Sequence, residues 1–92
     1  MALSSGSGGG GKTIVKTVSG QTEMYTVPSG KTFTGQLWNT SSTGYGYIND
    51  VRLMWPYYNN YFAHRPLEIT LNAGDTVKGE NSGNTMLLGV EK

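Results

Sequence analysis

Six carboxylates are the first place to look for chemistry in this chain: Glu23, Asp50, Glu68, Asp75, Glu80 and Glu91. Cleavage of a glycosidic bond needs two such groups facing each other across a cleft, one as acid and one as base or nucleophile. Glu68 and Asp75 flank one short turn, and they are the pair a hairpin would bring together. Acids beside a hairpin are ordinarily solvated. Asp75 directly follows Gly74, which suits a hydrogen bond from its side chain to the backbone of its own turn. His64 is the single His. As a general base it would require an orienting partner and a nucleophile, and no Ser stands in a Gly-x-Ser-x-Gly elbow. Gly11-Lys12-Thr13 matches the last three letters of a phosphate-binding loop, with no helix to follow. The expectation is a protein without catalytic residues and without a cofactor. The chain has no Cys and one His, so neither a thiolate zinc site nor a His cluster is available to a metal.

One segment stands apart in composition: Trp55-Pro56-Tyr57-Tyr58-Asn59-Asn60-Tyr61-Phe62-Ala63-His64-Arg65. Aromatic rings stack on the faces of sugars, and Asn amides both donate to and accept from hydroxyls, so a glycan site is one reading. Tyr, Trp and Arg are also the favoured anchors of protein–protein contacts. In that second reading Trp55, Tyr57, Tyr58, Tyr61, Phe62, His64 and Arg65 meet a partner or a sibling subunit. A third reading has Trp55 and Phe62 closing the end of the fold while the Tyr residues act as scaffolding. Stacking on single-stranded nucleic acid needs a basic groove beside the rings, which one Arg and one His do not make.

These residues must be positioned by β structure. Thr13 to Val18 is β-branched almost throughout, which favours a strand. Glu23 to Val27 is a second short run. In Pro28-Ser29-Gly30, Pro presets the first corner of a turn and Gly the second. Lys31 to Trp38 alternates, with Phe33, Gly35 and Leu37 on one face. Asn39 to Gly46 reads as a loop. Tyr47 to Trp55 reads as one strand, with Tyr47, Val51, Leu53 and Trp55 on one side. Pro66 to Leu71 turns Leu67, Ile69 and Leu71 inward, and Asn72 to Asp75 is a compact turn. Thr76 to Gly79 and Met86 to Val90 complete the pattern, with Asn81 to Asn84 as a hairpin between them. No stretch carries apolar residues at helical spacing. About seven short strands separated by Gly, Pro and Asn turns predict an all-β domain, a small antiparallel β-sandwich or reduced jelly roll over residues 12–92.

Residues 1–11 include the run Ser-Ser-Gly-Ser-Gly-Gly-Gly-Gly over 4–11, flexible and with nothing to bury. Such a segment is either an unstructured tail, a cloning remnant or an arm that lies along a neighbouring subunit. The N-terminus lacks the basic start and apolar run of a cleaved signal, and no run is long enough to span a bilayer. A protein made in the cytoplasm is expected, with no membrane partner.

The formal net charge is +1 and 14% of residues are charged, which argues against the clustered Lys and Arg that nucleic acid requires. A domain of this size buries only about 60–65% of the surface its unfolded chain exposes. Small folds therefore add a staple: disulfides, a metal or a partner subunit. The composition leaves only the last open, so self-association is expected.

Two phrases carry a resemblance. Met24-Tyr25-Thr26-Val27-Pro28-Ser29-Gly30-Lys31-Thr32-Phe33-Thr34-Gly35 is one, and Pro66-Leu67-Glu68-Ile69-Thr70-Leu71-Asn72-Ala73-Gly74-Asp75-Thr76-Val77 is the other. Together with the closing Leu87-Leu88-Gly89-Val90-Glu91, their layout resembles small β-sandwich structural proteins of tailed-bacteriophage particles. The aromatic segment from Trp55 to Arg65 is not part of that pattern. The resemblance implies a non-enzymatic virion protein, made in the host cytoplasm and ending in the particle. It implies a homotrimer that decorates or cements a capsid by gripping the major capsid protein or another virion protein. The alternative is a glycan- or receptor-binding module of a tail, a fibre or a secreted protein, using the aromatic segment.

Overall fold

The computed structural model describes residues 11–40, 44–54, 66–81 and 83–92. These residues form no helix and eight strands: β1 Lys12–Ser19, β2 Glu23–Thr26, β3 Thr32–Asn39, β4 Gly46–Ile48, β5 Val51–Leu53, β6 Leu67–Asn72, β7 Thr76–Lys78 and β8 Asn84–Glu91. Two four-stranded sheets result, one in the order β1-β8-β3-β6 and the other in the order β2-β7-β4-β5. All pairings are antiparallel. The ladders nest: β1 pairs with β8, β2 with β7, β3 with β6 and β4 with β5. The chain thus behaves as one long hairpin, folded over so that β3–β8 and β4–β7 pairs close each sheet. That winding is a complete eight-stranded jelly roll.

The all-β sandwich is the class the sequence predicts, and the strand count and three connections need correction. Tyr47 to Trp55 does not run as one strand. Asn49 and Asp50 both adopt positive φ (52° and 66°), making a two-residue turn that folds β5 back on β4. Asn and Asp are the non-Gly residues that tolerate this conformation best. Val51 consequently lies on an edge strand opposite Ile48 in register, exposed and not on the same side as Tyr47, which stands opposite Arg52. The turns at 72–75 and 79–83 are not hairpins either: each carries the chain from one sheet to the other. A short crossing between sheets and a short hairpin use the same Gly and Asn chemistry, so turn residues alone do not tell them apart. In the turn after β2, Lys31 N–H donates to the Pro28 carbonyl at 3.1 Å. Its corners are therefore Ser29 and Gly30, and Pro28 is its first residue.

Alternation packs the interior. Phe33, Leu37 and Leu87 of one sheet and Val77 of the other are fully covered, with Val27 just after β2. Phe33 sits beneath Gly35 and Gly89, which are directly opposite each other in register. A Cβ on Gly89 would lie 2.5 Å from the ring of Phe33 and 2.4 Å from the Thr34 carbonyl oxygen, and one on Gly35 would lie 2.2 Å from the Leu88 carbonyl oxygen. The ring therefore occupies the space that two side chains would take, which restores the apolar contact the glycines lack. Across the core, Tyr25 meets Phe33 with ring centroids 5.2 Å apart, tilted by 57°, a favourable arrangement for aromatic quadrupoles. Burial of Phe33 contributes roughly 2–3 kcal/mol on transfer grounds.

The two ends of the sandwich are tied differently. At one end the β4–β5 turn is locked to the β6–β7 turn. Asn49 Nδ2 donates to Asp75 Oδ1 at 3.0 Å, and Thr76 N–H donates to Asn49 Oδ1 at 3.0 Å. Asp75 Oδ2 also accepts from the Asn72 backbone N–H at 2.8 Å, the turn bond its sequence position suggests. The hydrogen bonds from Asn49 and then Asn72 hold the Asp75 carboxyl below the usual carboxylate range. The other end gathers the β1–β2, β3–β4, β5–β6 and β7–β8 connections.

Two outcomes test this account. Gly89→Ala should cost about 1–3 kcal/mol by overpacking against Phe33, read as a lower denaturation midpoint at unchanged m-value. Because the folded-state pKa of Asp75 lies below its unfolded value, its contribution is present above about pH 4 and is lost as pH falls through the folded pKa. Asn49→Ala should flatten that acid limb of the stability profile, and an unchanged limb would show that Asn49 is not its source.

Candidate interaction surface

The seven residues singled out by composition, Trp55, Tyr57, Tyr58, Tyr61, Phe62, His64 and Arg65, lie outside the described residues. What is described is the frame from which their segment departs and to which it returns. Met54 follows β5 and Pro66 precedes β6, and both strand ends lie at the four-connection end of the sandwich.

That end is braced by a buried polar cluster. Glu80 is wholly covered. Its Oε2 accepts from Arg52 Nε at 3.2 Å and its Oε1 from the Asn81 backbone N–H at 2.7 Å. Its own backbone N–H donates to Thr85 Oγ1 at 2.9 Å, and Asn39 Nδ2 donates to the same hydroxyl oxygen. Gly44 passes so close that a Cβ there would lie 2.6 Å from Glu80 Oε2. Tyr45 N–H donates to the Leu53 carbonyl at 2.8 Å, anchoring the strand end from which the aromatic segment leaves. Both Glu80 oxygens are engaged and neither reaches solvent, so the carboxylate ties β5 to the β7–β8 connection close beside Gly44.

A second buried carboxylate lies nearer the opposite end. Tyr25 Oη donates to Glu91 Oε1 at 2.7 Å. Burial first, then the hydrogen bond and the charge of Glu91, push the Tyr25 phenol above its ordinary range. The remaining acids are dispersed. Asp50 pairs with Lys78 at 2.6 Å, which raises the ammonium pKa. Glu68 is exposed on the outer face of its sheet, while Asp75 is held in its turn, so the two do not form a facing pair. Among the described residues no three of His, Cys, Asp and Glu converge on a point that could hold a metal.

The feature that composition did not flag is the outer face of the β1-β8-β3-β6 sheet. Register places its side chains in rows: Thr17–Met86–Trp38, then Val15–Leu88–Gln36–Glu68, then Thr13–Val90–Thr34–Thr70. Within these rows Glu68 is the single ionisable group. Val15 is 59% exposed, Met86 41%, Leu88 40% and Trp38 37%. An open recess of about 340 Å³ lies beside Trp38, lined also by Thr17, Asn39, Thr40, Asn84 and Met86. A second, of about 450 Å³, runs along Thr34, Gln36, Glu68 and Thr70. Singly exposed apolar residues need no explanation, but a contiguous group on a nearly uncharged face marks a contact surface. The signal was legible in part: Leu87-Leu88 and Val15 follow the strand alternation, but both faces of β8 are apolar, and alternation does not say which is covered.

Comparison of the chain with family models, with curated proteins and with solved structures returns no match. The class defined by its geometry is a jelly-roll sandwich with one uncovered neutral sheet face.

The Glu80 clamp has a directional test. Arg52→Met strands a buried carboxylate and should cost about 2–3 kcal/mol, whereas Glu80→Gln leaves Arg52 free to turn to water and should cost about 1 kcal/mol. Equal losses in chemical denaturation would mean that Arg52 does not compensate the Glu80 charge.

Proposed function

We propose that this chain is a non-enzymatic virion structural protein, a decoration or cement protein of the tailed-bacteriophage type. It self-associates as a homotrimer and stabilises neighbouring subunits of the major capsid protein or another virion protein. The observation that carries the reading is the neutral outer face with Val15, Trp38, Met86 and Leu88 exposed on a small domain that has no disulfide. An exposed, nearly uncharged sheet face of this kind is suited to contact with another protein. The jelly roll supports the reading by analogy, since it is a winding used in capsid proteins, and fold analogy alone does not assign a function. Many weak contacts, multiplied by symmetry, supply the grip of a cement protein without a deep pocket.

A second reading is favoured by the Glu80 clamp. A rigid frame under the ends of the 54–66 connection suits a presented recognition loop, and a glycan- or receptor-binding module would use Trp55, Tyr57, Tyr58 and Tyr61.

Particles lacking this protein should lose DNA at lower temperature and under milder osmotic shock than complete particles, and adding back the purified chain should restore them. Equal resistance of the two kinds of particle would end the cement reading. If, instead, binding to host cells is abolished by Tyr57→Ala/Tyr58→Ala while particle resistance is unchanged, the recognition module takes its place.

A further inference from the structure

Polar side chains on the outer face of the β1-β8-β3-β6 sheet are left unengaged. Thr34 and Gln36 of β3 stand opposite Thr70 and Glu68 of β6, and none of the four makes a side-chain hydrogen bond to another described residue. Elsewhere on the surface such groups are paired: Thr26 with Glu23, Asn49 with Asp75, Lys78 with Asp50. Further along β3, Trp38 borders the recess of about 340 Å³, whose walls include Thr17, Thr40, Asn84 and Met86. Thr40 Oγ1 accepts from the Asn84 backbone N–H at 2.9 Å, which leaves its hydroxyl hydrogen to donate. The recess of about 450 Å³ runs along Thr34, Gln36, Glu68 and Thr70. The two lie in line along β3. From Trp38 to Thr34 is four residues, about 13 Å at a strand rise of about 3.3 Å. We propose that this line is a binding site for a neutral oligosaccharide, with one sugar ring stacked on Trp38 and the following rings held by Gln36, Glu68, Thr34 and Thr70. The inference goes beyond the virion reading and, unlike the recognition reading, puts the sugar on the sheet rather than on residues 55–65.

The chemistry of the line selects this class of ligand. A sugar ring presents C–H groups on its faces and hydroxyls around its rim. C–H groups meet the negative face of an indole favourably, and Trp38 is exposed beside Met86. Sugar hydroxyls both donate and accept, and the Thr hydroxyls and the Gln36 and Asn84 amides do the same. Glu68 adds an acceptor whose bonds from hydroxyls are of the stronger, charge-assisted kind. It is also the single ionisable group within these rows, so nothing in the line attracts an acidic sugar. The recesses fall within the range of about 300–1,000 Å³ usual for ligand sites, and their alignment suits a chain of rings rather than one compact molecule. A nucleic acid strand would stack on Trp38 too, but it needs cations beside the ring, and none lines either recess.

The test starts from the full chain carrying Trp55→Phe, which leaves Trp38 as its one tryptophan. Cellotriose, xylotriose, maltotriose and mannotriose are titrated in turn while the indole fluorescence is followed, and at least one should give a saturable blue shift. With that sugar, calorimetry on the otherwise wild-type chain should show binding weakened at least about tenfold by Trp38→Ala and about threefold by Gln36→Ala. Circular dichroism should be unchanged, since both side chains lie on the outer face. Should Trp38→Ala misfold, Met86→Lys serves in its place, being exposed and next to Trp38 in register. Trigalacturonate, an acidic trisaccharide, should bind at least about tenfold more weakly than the neutral sugar. No saturable shift with any of the four, an affinity that Trp38→Ala leaves unchanged, or equal binding of trigalacturonate would each overturn the inference. If Tyr57→Ala/Tyr58→Ala abolishes binding while Trp38→Ala does not, the sugar belongs to the aromatic segment. The virion reading is separable. A chain that stabilises stripped capsids and binds none of the sugars ends this inference alone, and a chain that binds sugar through Trp38 and ignores capsids ends the virion role alone.

Discussion

One ring holds the two sheets in register. Phe33 lies under the Gly35–Gly89 pair of β3 and β8, and Tyr25 of the other sheet packs against it. Tyr25 in turn spends its hydroxyl on Glu91, which belongs to β8 again. The circuit from β3 through β8 to β2 and back therefore closes through one aromatic pair and one buried hydrogen bond. A polar group buried this way is stabilising only while its partner is in place. The position of Glu91 is thus determined by the same contacts that place Phe33. Met86, Leu88, Gln36 and Trp38 point outward because they alternate along β3 and β8 with the residues held inward around this ring.

Polarity is distributed in an instructive way. The buried carboxylates, Glu80 and Glu91, sit where connections or sheets must be pinned, and each has found a partner. The exposed turn at the opposite end uses Asn49 and Asp75 for the same purpose. The broad sheet face, by contrast, is left almost free of charge. The molecule therefore concentrates its strong polar interactions in its own connections and offers neutral surface outward. This pattern fits a protein whose activity is contact. Asp50, Asp75, Glu80 and Glu91 are each engaged in contacts within the fold.

Much of this was legible in the chain. Alternation in Phe33-Gly35-Leu37 and in Leu67-Ile69-Leu71 gave the correct inward faces, and the β-branched run at Thr13 to Val18 became β1. The errors share one cause. Turn residues report that the backbone changes direction, and say nothing about which strand it meets next. The one hairpin between sequence neighbours among the described strands, β4–β5, was hidden in what read as a continuous strand, because Asn49 and Asp50 do the work usually signalled by Gly. The turns that looked like hairpins cross between sheets. Burial on β8 was equally ambiguous, since Met86-Leu87-Leu88 is apolar on both sides and only long-range pairing decides that Leu87 faces in. The aromatic segment at 55–65, the strongest compositional signal in the chain, lies outside the described residues. The neutral face at Trp38 and Leu88, which gave no such signal, became the surface on which function is argued.

The nested pairing has a consequence for how the molecule comes into being. β8, the last of the described strands in chain order, is an inner strand of its sheet, flanked by β1 and β3. Until it emerges, β1 has no partner, and β3 presents to solvent the edge that β8 will later cover. Among the described strands, β4 and β5 alone form a hairpin that can close early. Contacts so distant in sequence make for slow folding and a long exposure of unpaired edges. A nascent chain of this protein is thus vulnerable until β8 has been made, and the lysines of β1, which guard an outer edge in the finished fold, also guard it while the gap beside it stands open.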